Sequence, residues 1–276
     1  MDLDRKLVVL EDELGRLDRV VVAFSCGADS TFLAAVAHRT LGGHRASAVT
    51  AVSPSLAGDE AADCRLLAAE LGLTWIPVTT NEMERAAYRL NDTDRCYHCK
   101  AELMDVVLPI ATESAATVVL GVNLDDLGDH RPGQRAAVEG GAEFPLVTAG
   151  FTKADVREAS RRMGLRTWDK PAAACLASRV PYGTEVTVGV LSRVERAEAA
   201  LRRIGFDQVR VRHYDHTARI EVELGALGDV LVRRAEVVDA VRGAGYRYVT
   251  LDLEGFRSGN LNITDGQGDD AGNELS

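Results

Sequence analysis

The chain has 276 residues, 46% hydrophobic and 27% charged, with a formal net charge of -10. That length can bury one large core or two ordinary ones, and the balance is that of a globular protein rather than a disordered or fibrous one. No run is apolar and long enough to span a bilayer, and the acidic excess argues against a broad nucleic-acid surface, which needs a basic face. Arginines gather between Arg193 and Arg257, which leaves room for a local anion site. The opening "MDLDRKLVVLEDELGRL" lacks the basic-then-apolar order of a signal peptide. The expectation is a cytoplasmic protein with no membrane partner, whose cysteines serve metal binding or catalysis more than structural disulfides.

Residues 2–17 carry the period of an amphipathic helix. "RVVVAFS" (19–25) is a continuous apolar run ending in small residues, the pattern of a strand covered on both faces. A helix over about 29–38, a strand at 46–52, a helix over about 59–71 and a strand at 74–80 follow. A further helix precedes or includes "RCYHCK", and "TVVLGVN" (117–123) is the next strand. Alternation of this kind predicts an α/β fold with a doubly wound parallel sheet. Near Pro171 the character changes. The stretch "TVGVLSRVERAEAALRRIG" reads as a helix, "QVRVRHY" and "ARIEVEL" as two alternating strands, 229–242 as a helix and "RYVTLDL" as a last strand. A second, smaller α+β domain is therefore expected from residue 172, ending at 263, with 264–276 a disordered acidic tail. No internal repeat is present.

"AFSCGADSTFL" lies where the first strand meets the next helix. Ser25, Gly27, Asp29 and Ser30 form S-x-G-x-D-S. Small residues there let backbone amides face a ligand, the hydroxyls donate to phosphate oxygens, and the carboxylate can hold Mg²⁺. A glycine turn after a strand can also be purely geometric. The order of residues is more specific, and it resembles the SGGxDS pyrophosphate loop of ATP pyrophosphatases. Cys26 stands where that loop has glycine; if the position needs a positive φ, its β-carbon costs about 1 kcal/mol. There is no G-x-x-x-x-G-K-[ST] and no G-x-G-x-x-G with a downstream acid, which argues against P-loop and dinucleotide readings. Downstream, "GVNLDDLGDHRPG" crowds Asn123, Asp125, Asp126, Asp129 and Arg131 after a strand, where open α/β sheets place ligands. A solvated acidic loop is the plainer alternative.

Cys96 and Cys99 form C-x-x-C, and Cys175 in "PAAACLASR" could add a third sulfur. Spacing alone leaves a [4Fe-4S] cluster, a zinc site and unligated thiols open. A thioredoxin-like pair is disfavoured, since that motif opens a helix after a first strand. Cys64 shares a helical face with Ala61, Leu67, Ala68 and Leu71 and reads as a core thiol.

Taken together, "AFSCGADSTFLAAVA", "DRCYHCK", "GVNLDDLGDHRPG", "FPLVTAGFTKADVREASRRMGL", "WDKPAAACLASRVPYG", "RVRHYDHTARIEV" and "GFRSGNLN" resemble, in order, the LarE family. These are ATP-dependent sulfur transferases of the PP-loop superfamily that make the thiocarboxylates of the nickel-pincer nucleotide. The resemblance runs from about residue 5 to 263, and "ACLASRVPYG" is its most specific piece. It implies a PP-loop ATP pyrophosphatase domain over 1–171 and a substrate and sulfur-transfer domain over 172–263. One branch of the family sacrifices the sulfur of its own cysteine in the ACLASR segment. Another adds C-x-x-C, and its three cysteines hold a [4Fe-4S] cluster that carries an extra sulfide. This chain has all three, so the resemblance implies a cluster on Cys96, Cys99 and Cys175.

It further implies ATP with Mg²⁺ at Ser25, Gly27, Asp29, Ser30, Asn123 and Asp126, and catalytic roles for Cys175, Ser178 and Arg179. By motif position, Arg210, Arg212 and Arg257 become anchors for the phosphate of a pyridinium mononucleotide. Glu198 and Glu221 are candidates for metal or substrate, weighed against plain surface residues. Arg202 and Arg203 read as surface charge, and Trp168 as packing at the domain junction. A sulfide or other sulfur donor and a homo-oligomeric state belong to the same implication. Two rivals are a tRNA thiolase of the same superfamily, disfavoured by the net charge, and a non-enzymatic ATP-binding or iron–sulfur sensor.

Overall fold

The computed structural model describes residues 1–128, 132–171 and 174–257. Asp129, Arg131 and the tail expected from residue 264 lie outside the described residues. The chain divides into two compact units, Met1–Cys175 and Leu176–Ser276. Among the described residues, no helix is long and apolar enough to cross a membrane.

In the first unit, α1 (Leu3–Leu17) begins at Asp2, whose carboxylate accepts from the Arg5 amide, and it buries Leu10 and Leu14. The valine run becomes β1 (Val20–Ala23). Helix α2 (Ala28–Leu41) is buried at every position from Ser30 to Ala37, which is why it lacks a polar face. Then come β2 (Ala46–Val52), α3 (Gly58–Glu70) and β3 (Thr74–Thr79). A short helix α4 (Ala86–Leu90) precedes α5 (Arg95–Glu113), and β4 (Thr117–Leu120) closes the sheet. Three helices that the hydrophobic pattern did not disclose follow: α6 (Pro132–Glu139), α7 (Pro145–Thr148) and α8 (Lys153–Arg162). The last had a local signal, since Thr152 and Asp155 make reciprocal capping bonds at its start.

All strand pairs here are parallel, in the order β3-β2-β1-β4. The sheet is doubly wound. Val20 and Val22 face a core shared with α1, α2, α3 and α8, while Val21 and Val49 face one built on α5 and α6. The chain steps outward from β1 to β2 to β3, then returns to the other side of β1. The topological switch point therefore lies between β1 and β4. Their register pairs Ala23 with Leu120, so both strands end at one level. β4 is shorter than the sequence predicted because the Leu120 amide pairs with the Glu143 carbonyl and the chain leaves the sheet there.

The second unit opens with α9 (Val188–Arg203), followed by β5 (Val209–Tyr214) and β6 (Thr217–Val222), an antiparallel pair. Their two-residue turn has Asp215 at a φ of 51°. β7 (Tyr248–Leu251) joins β6 in parallel, making β6 the central strand. The helix read over 229–242 is two, α10 (Leu227–Val232) and α11 (Arg234–Gly243). Ala197, Leu201, Val211, Ile220, Val237 and Val241 fill the core.

Candidate functional site

The S-x-G-x-D-S residues occupy the carboxyl end of β1 and the start of α2, with Gly27 as N-cap. Ser25 is exposed and Ser30 is buried; their hydroxyls lie 3.1 Å apart, and the Ser25 amide donates to Ser30 Oγ at 3.2 Å. Across the switch point, Asn123 Nδ2 donates to Asp29 Oδ1 at 3.0 Å. The Asn123 amide donates in turn to Asp126 Oδ2 at 3.2 Å, and Lys153 Nζ lies 3.1 Å from Asp126 Oδ1. Burial raises the Asp29 carboxyl above its ordinary range; the Asn123 bond works against this and the charge of Asp126 adds to it. A half-buried carboxylate beside a buried one suits a divalent cation. Gly121 lets the two loops approach: a Cβ there would stand 2.8 Å from the Ser30 amide nitrogen. The bland reading of "NLDDLGD" as a solvated loop fails for Asn123 and Asp126, which are 0% and 4% exposed. A cavity at the opposite edge of the sheet, lined by Val20, Ala46, Thr74 and Ala116, sits at the strand starts, away from this constellation.

Cys26 has a φ of 60° and is fully buried. The position does need the left-handed region, so its β-carbon carries the strain anticipated above, about 1 kcal/mol.

Cys96 and Cys99 lie in the first turn of α5, three residues apart and so on one helix face. The motif thus opens a helix, contrary to the objection raised from the sequence, but it does so after α4 and not after a strand. Cys96 and Cys175 are exposed and Cys99 is partly covered. Burial first, then the charges of Cys175 and Glu82, push the Cys99 thiol up to about 12. Burial, then Cys175, also raises the Tyr88 hydroxyl. Cys96, Cys99 and Cys175 therefore share one electrostatic neighbourhood. Tyr88 is anchored beside them by a 2.6 Å bond to Ser55 Oγ, which reaches buried Glu82 Oε1 at 2.8 Å. Among the described residues no three His, Cys, Asp or Glu side chains are gathered tightly enough to hold one metal ion.

In the second unit, Arg179 forms a two-pronged pair with Glu198 at 2.9 and 3.3 Å and donates to Ser178 Oγ at 3.0 Å. Arg212 donates to Glu221 at 2.9 Å and to the Ser178 carbonyl at 2.8 Å, leaving its buried Nη2 without a hydrogen-bond partner. Arg210 lies 4.3 Å from the Phe256 ring centroid and donates to the Arg257 carbonyl. Burial, then the positive charges of Arg179 and Arg212, lower Arg210 to about 10. Five guanidiniums, of Arg179, Arg202, Arg210, Arg212 and Arg219, gather around Glu198 and Glu221, an excess of positive charge that suits one more anion.

No family model matches the chain. A protein of Lactiplantibacillus plantarum named pyridinium-3,5-bisthiocarboxylic acid mononucleotide synthase is 38% identical over 263 residues, 95% of this chain and 95% of its own. The chain belongs to the LarE family of sulfurtransferases. An uncharacterised protein of Synechocystis sp. is 46% identical over 94% of this chain and 98% of its own length. Another, of Methanocaldococcus jannaschii, is 29% identical over 61% of this chain and 66% of its own.

Within this LarE-family chain, the structure brings Ser25, Gly27, Asp29, Ser30, Asn123 and Asp126 together at the switch point. Ser178, Arg179, Glu198, Arg212 and Glu221 form a second connected group. The surface reading of the two glutamates is overturned: Glu198 is 2% and Glu221 0% exposed, each held by an arginine. The sequence contained the sign for Glu198, which lies on the apolar stripe Val194, Ala197, Leu201 of α9. Arg202 is no plain surface charge either, since it pairs with Glu198 at 3.6 Å. Trp168 is 40% exposed. Arg257 is tied to Glu254 by a salt bridge. Sequence reasoning passed over Tyr88, Glu82 and Ser55, because polar residues scattered over three elements carry no spacing signal.

Proposed function

We propose that this LarE-family chain is an ATP-dependent sulfurtransferase that converts a carboxylate of a pyridinium dicarboxylate mononucleotide into a thiocarboxylate, in the making of the nickel-pincer nucleotide. The observation that carries the reading is the 38% identity, over 95% of both chains, to the protein named for that synthase. The geometry supports it piece by piece. Ser25, Ser30 and the amides around Gly27 present donors to the ATP phosphates, and Asp29, oriented by Asn123 beside Asp126, is the Mg²⁺ ligand. The substrate carboxylate attacks the α-phosphorus, pyrophosphate leaves, and the acyl-adenylate gives its carbonyl a good leaving group. Arg210 and Arg212, with the unpartnered Nη2 of Arg212, offer the fork that a substrate phosphate needs, and Arg257 adds charge. Ser178 and Arg179 hold a position from which charge developing on the carbonyl or adenylate is stabilised.

For the sulfur, Cys96, Cys99 and Cys175 are the residues that would hold a [4Fe-4S] cluster. Three cysteines leave a tetrahedral zinc one ligand short, whereas a [4Fe-4S] cluster can take each of three thiolates at a separate iron. When bound, such a cluster supplies an open iron on which a replaceable sulfide can ride. Cys99 has to release its proton to serve as ligand, so loading is favoured by alkaline conditions.

The test is iron and acid-labile sulfide per chain after anaerobic reconstitution, beside pyrophosphate release with ATP and the pyridinium nucleotide. About four irons in the native chain, few in Cys96→Ala, and pyrophosphate release only with both substrates are expected. Zinc or no metal in both proteins would make Cys175 a single-use donor. Sulfur incorporation into tRNA, or ATP binding without any pyrophosphate release, would overturn the activity itself.

A further inference from the structure

Glycine would fit the left-handed backbone at position 26 without strain, yet only a side chain can reach what lies beside it. Cys26 Sγ donates to Asp63 Oδ2 at 3.3 Å, and Lys170 Nζ lies 3.7 Å from the same sulfur. Lys170 Nζ also donates to Glu60 Oε2 and to Asp63 Oδ2, at 2.9 Å each. Glu60, Asp63 and Glu70 are spaced by three and seven residues, so they share one face of α3. Arg166 pairs with Asp63, and with Glu70 at 2.8 Å. The segment 166–170 is therefore clamped to α3 at both ends. Within it the Lys170 amide donates to the Thr167 carbonyl at 3.1 Å, and Thr167 is buried. Pro171 restricts the backbone at Lys170, and Cys175 follows five residues after that lysine. The two clamps differ in one respect. Among the described residues Arg166 bonds only side chains of α3, whereas Lys170 also meets the loop after β1. One ammonium and one carboxylate thus join three pieces of the first unit: the S-x-G-x-D-S loop, α3 and the segment leading to Cys175.

We propose that Lys170 is a positioning residue that, through Cys26 and Asp63, holds the segment leading to Cys175 against the loop after β1, so that occupancy of the loop is felt at Cys175. The second half rests on the ATP reading of that loop; the first does not. Phosphate held by the amides around Gly27 fixes the loop, and Cys26, the neighbouring residue, is fixed with it. Its sulfur then keeps Asp63 and Lys170 in place. The Lys170–Pro171 junction, with little backbone freedom of its own, passes that constraint on toward Cys175. The consequence for sulfur transfer is one of order: the cysteine segment is steadied while nucleotide is present and looser without it. The same contact accounts for a cysteine at a strained position where the resembling pyrophosphate loop has glycine. Glycine would relieve the strain and sever the joint. Lys170 and Asp63 have side chains only 19% and 27% exposed, so the pair is sheltered from the screening that weakens surface ion pairs.

The experiment alkylates the full chain, reduced and chelator-treated, with iodoacetamide and follows each cysteine by peptide mass spectrometry, with and without Mg-ATP. ATP binding is measured beside it by calorimetric titration. Cys175 and Cys96 are both exposed, so Cys96 is the reference, and buried Cys64 reports any general loosening. Lys170→Met is expected to raise Cys175 alkylation relative to Cys96 by at least about threefold, with Cys64 still protected. Cys26→Gly is expected to give the same rise, and the double variant no more than either alone. Lys170→Arg, which keeps the cation, and Arg166→Met, which spares Cys26, are expected to stay near the native rate. Mg-ATP is expected to slow Cys175 alkylation in the native chain and to leave it unchanged in Lys170→Met and Cys26→Gly. The proposal is overturned if Lys170→Met keeps the native Cys175 rate, if Arg166→Met matches its rise, or if bound Mg-ATP acts alike on native and variant chains. Should Lys170→Met expose Cys64 as well, Cys26→Gly decides, and a native Cys175 rate there overturns the proposal. A chain that binds no ATP yet shows the coupled rise would uphold the positioning role and remove the nucleotide reading of the loop.

Discussion

Asp29 shows how burial and neighbours set the acidity of a single residue. Burial raises its carboxyl, the Asn123 bond lowers it, and Asp126 raises it again, with a net upward shift. A carboxyl whose folded pKa lies above its unfolded value binds its proton more tightly in the native state. The stability this contributes is present when the group is protonated and is lost as pH rises through the folded pKa. At neutral pH the ionised group is therefore a burden in the ligand-free chain. Asp29→Asn keeps an oxygen for Asn123 Nδ2 and removes the charge. It is expected to raise the thermal midpoint of the ligand-free protein while abolishing the Mg²⁺-dependent part of ATP binding. Calorimetric unfolding beside titration with ATP, with and without Mg²⁺, checks both. A lowered midpoint with intact Mg²⁺ dependence would show that the carboxylate is structural.

At the scale of elements, the second unit is joined at its centre by ionic bonds. Glu198 on α9 accepts from Arg179 and, through Oε1, from the Val211 amide of β5 at 3.0 Å. One side chain thus holds a helix, a strand and the segment carrying Ser178. Removing one partner of a buried pair leaves the other charged and dry, an effect of about 3 to 5 kcal/mol. Glu198→Ala is expected to destabilise this unit by about 3 kcal/mol and to strip exchange protection from the Val211 amide. Hydrogen exchange read at that amide tests the claim: unchanged protection would mean that the pair contributes little. Arg212 and Glu221 repeat the arrangement on neighbouring strands β5 and β6.

At the scale of the whole molecule, acid sensitivity follows from the ties that hold the segment before Cys175 to α3. Burial raises Asp63, but hydrogen bonds from Arg166 and Lys170 outweigh it and hold the carboxyl at about 2. A depressed carboxylate contributes stability that is present above its unfolded pKa, about 3.9, and is lost as pH falls through the folded value. The chain is therefore expected to lose stability between about pH 4 and pH 2, and Asp63→Asn to flatten that part of the curve. Urea midpoints collected across the range check it; identical slopes in the two proteins would refute the tie.

Much of this was legible without coordinates. The valine run of β1 could only be a strand covered on both faces, and residues 46–52 matched β2 residue for residue. The S-x-G-x-D-S order and the cysteine spacing are local patterns, and local patterns survive in one dimension. Short or irregular helices such as α6 and α7 do not, because too few turns exist for a period to emerge. Nor does the break at Arg233, which nothing in the local residues marks.

What tertiary structure alone decided is which distant groups meet. The order β3-β2-β1-β4 places Asn123 against Asp29, 94 residues away, because β4 returns to the free side of β1. The fold likewise sets Cys26 against Asp63 and Lys170 and turns Glu198 and Glu221 inward toward arginines. Sequence determines the chemistry each residue can perform and the element it enters, since these depend on side-chain type and on neighbours a few positions away. Partners, burial and the resulting acidities depend on strand order and packing across the chain, and no spacing along it encodes those.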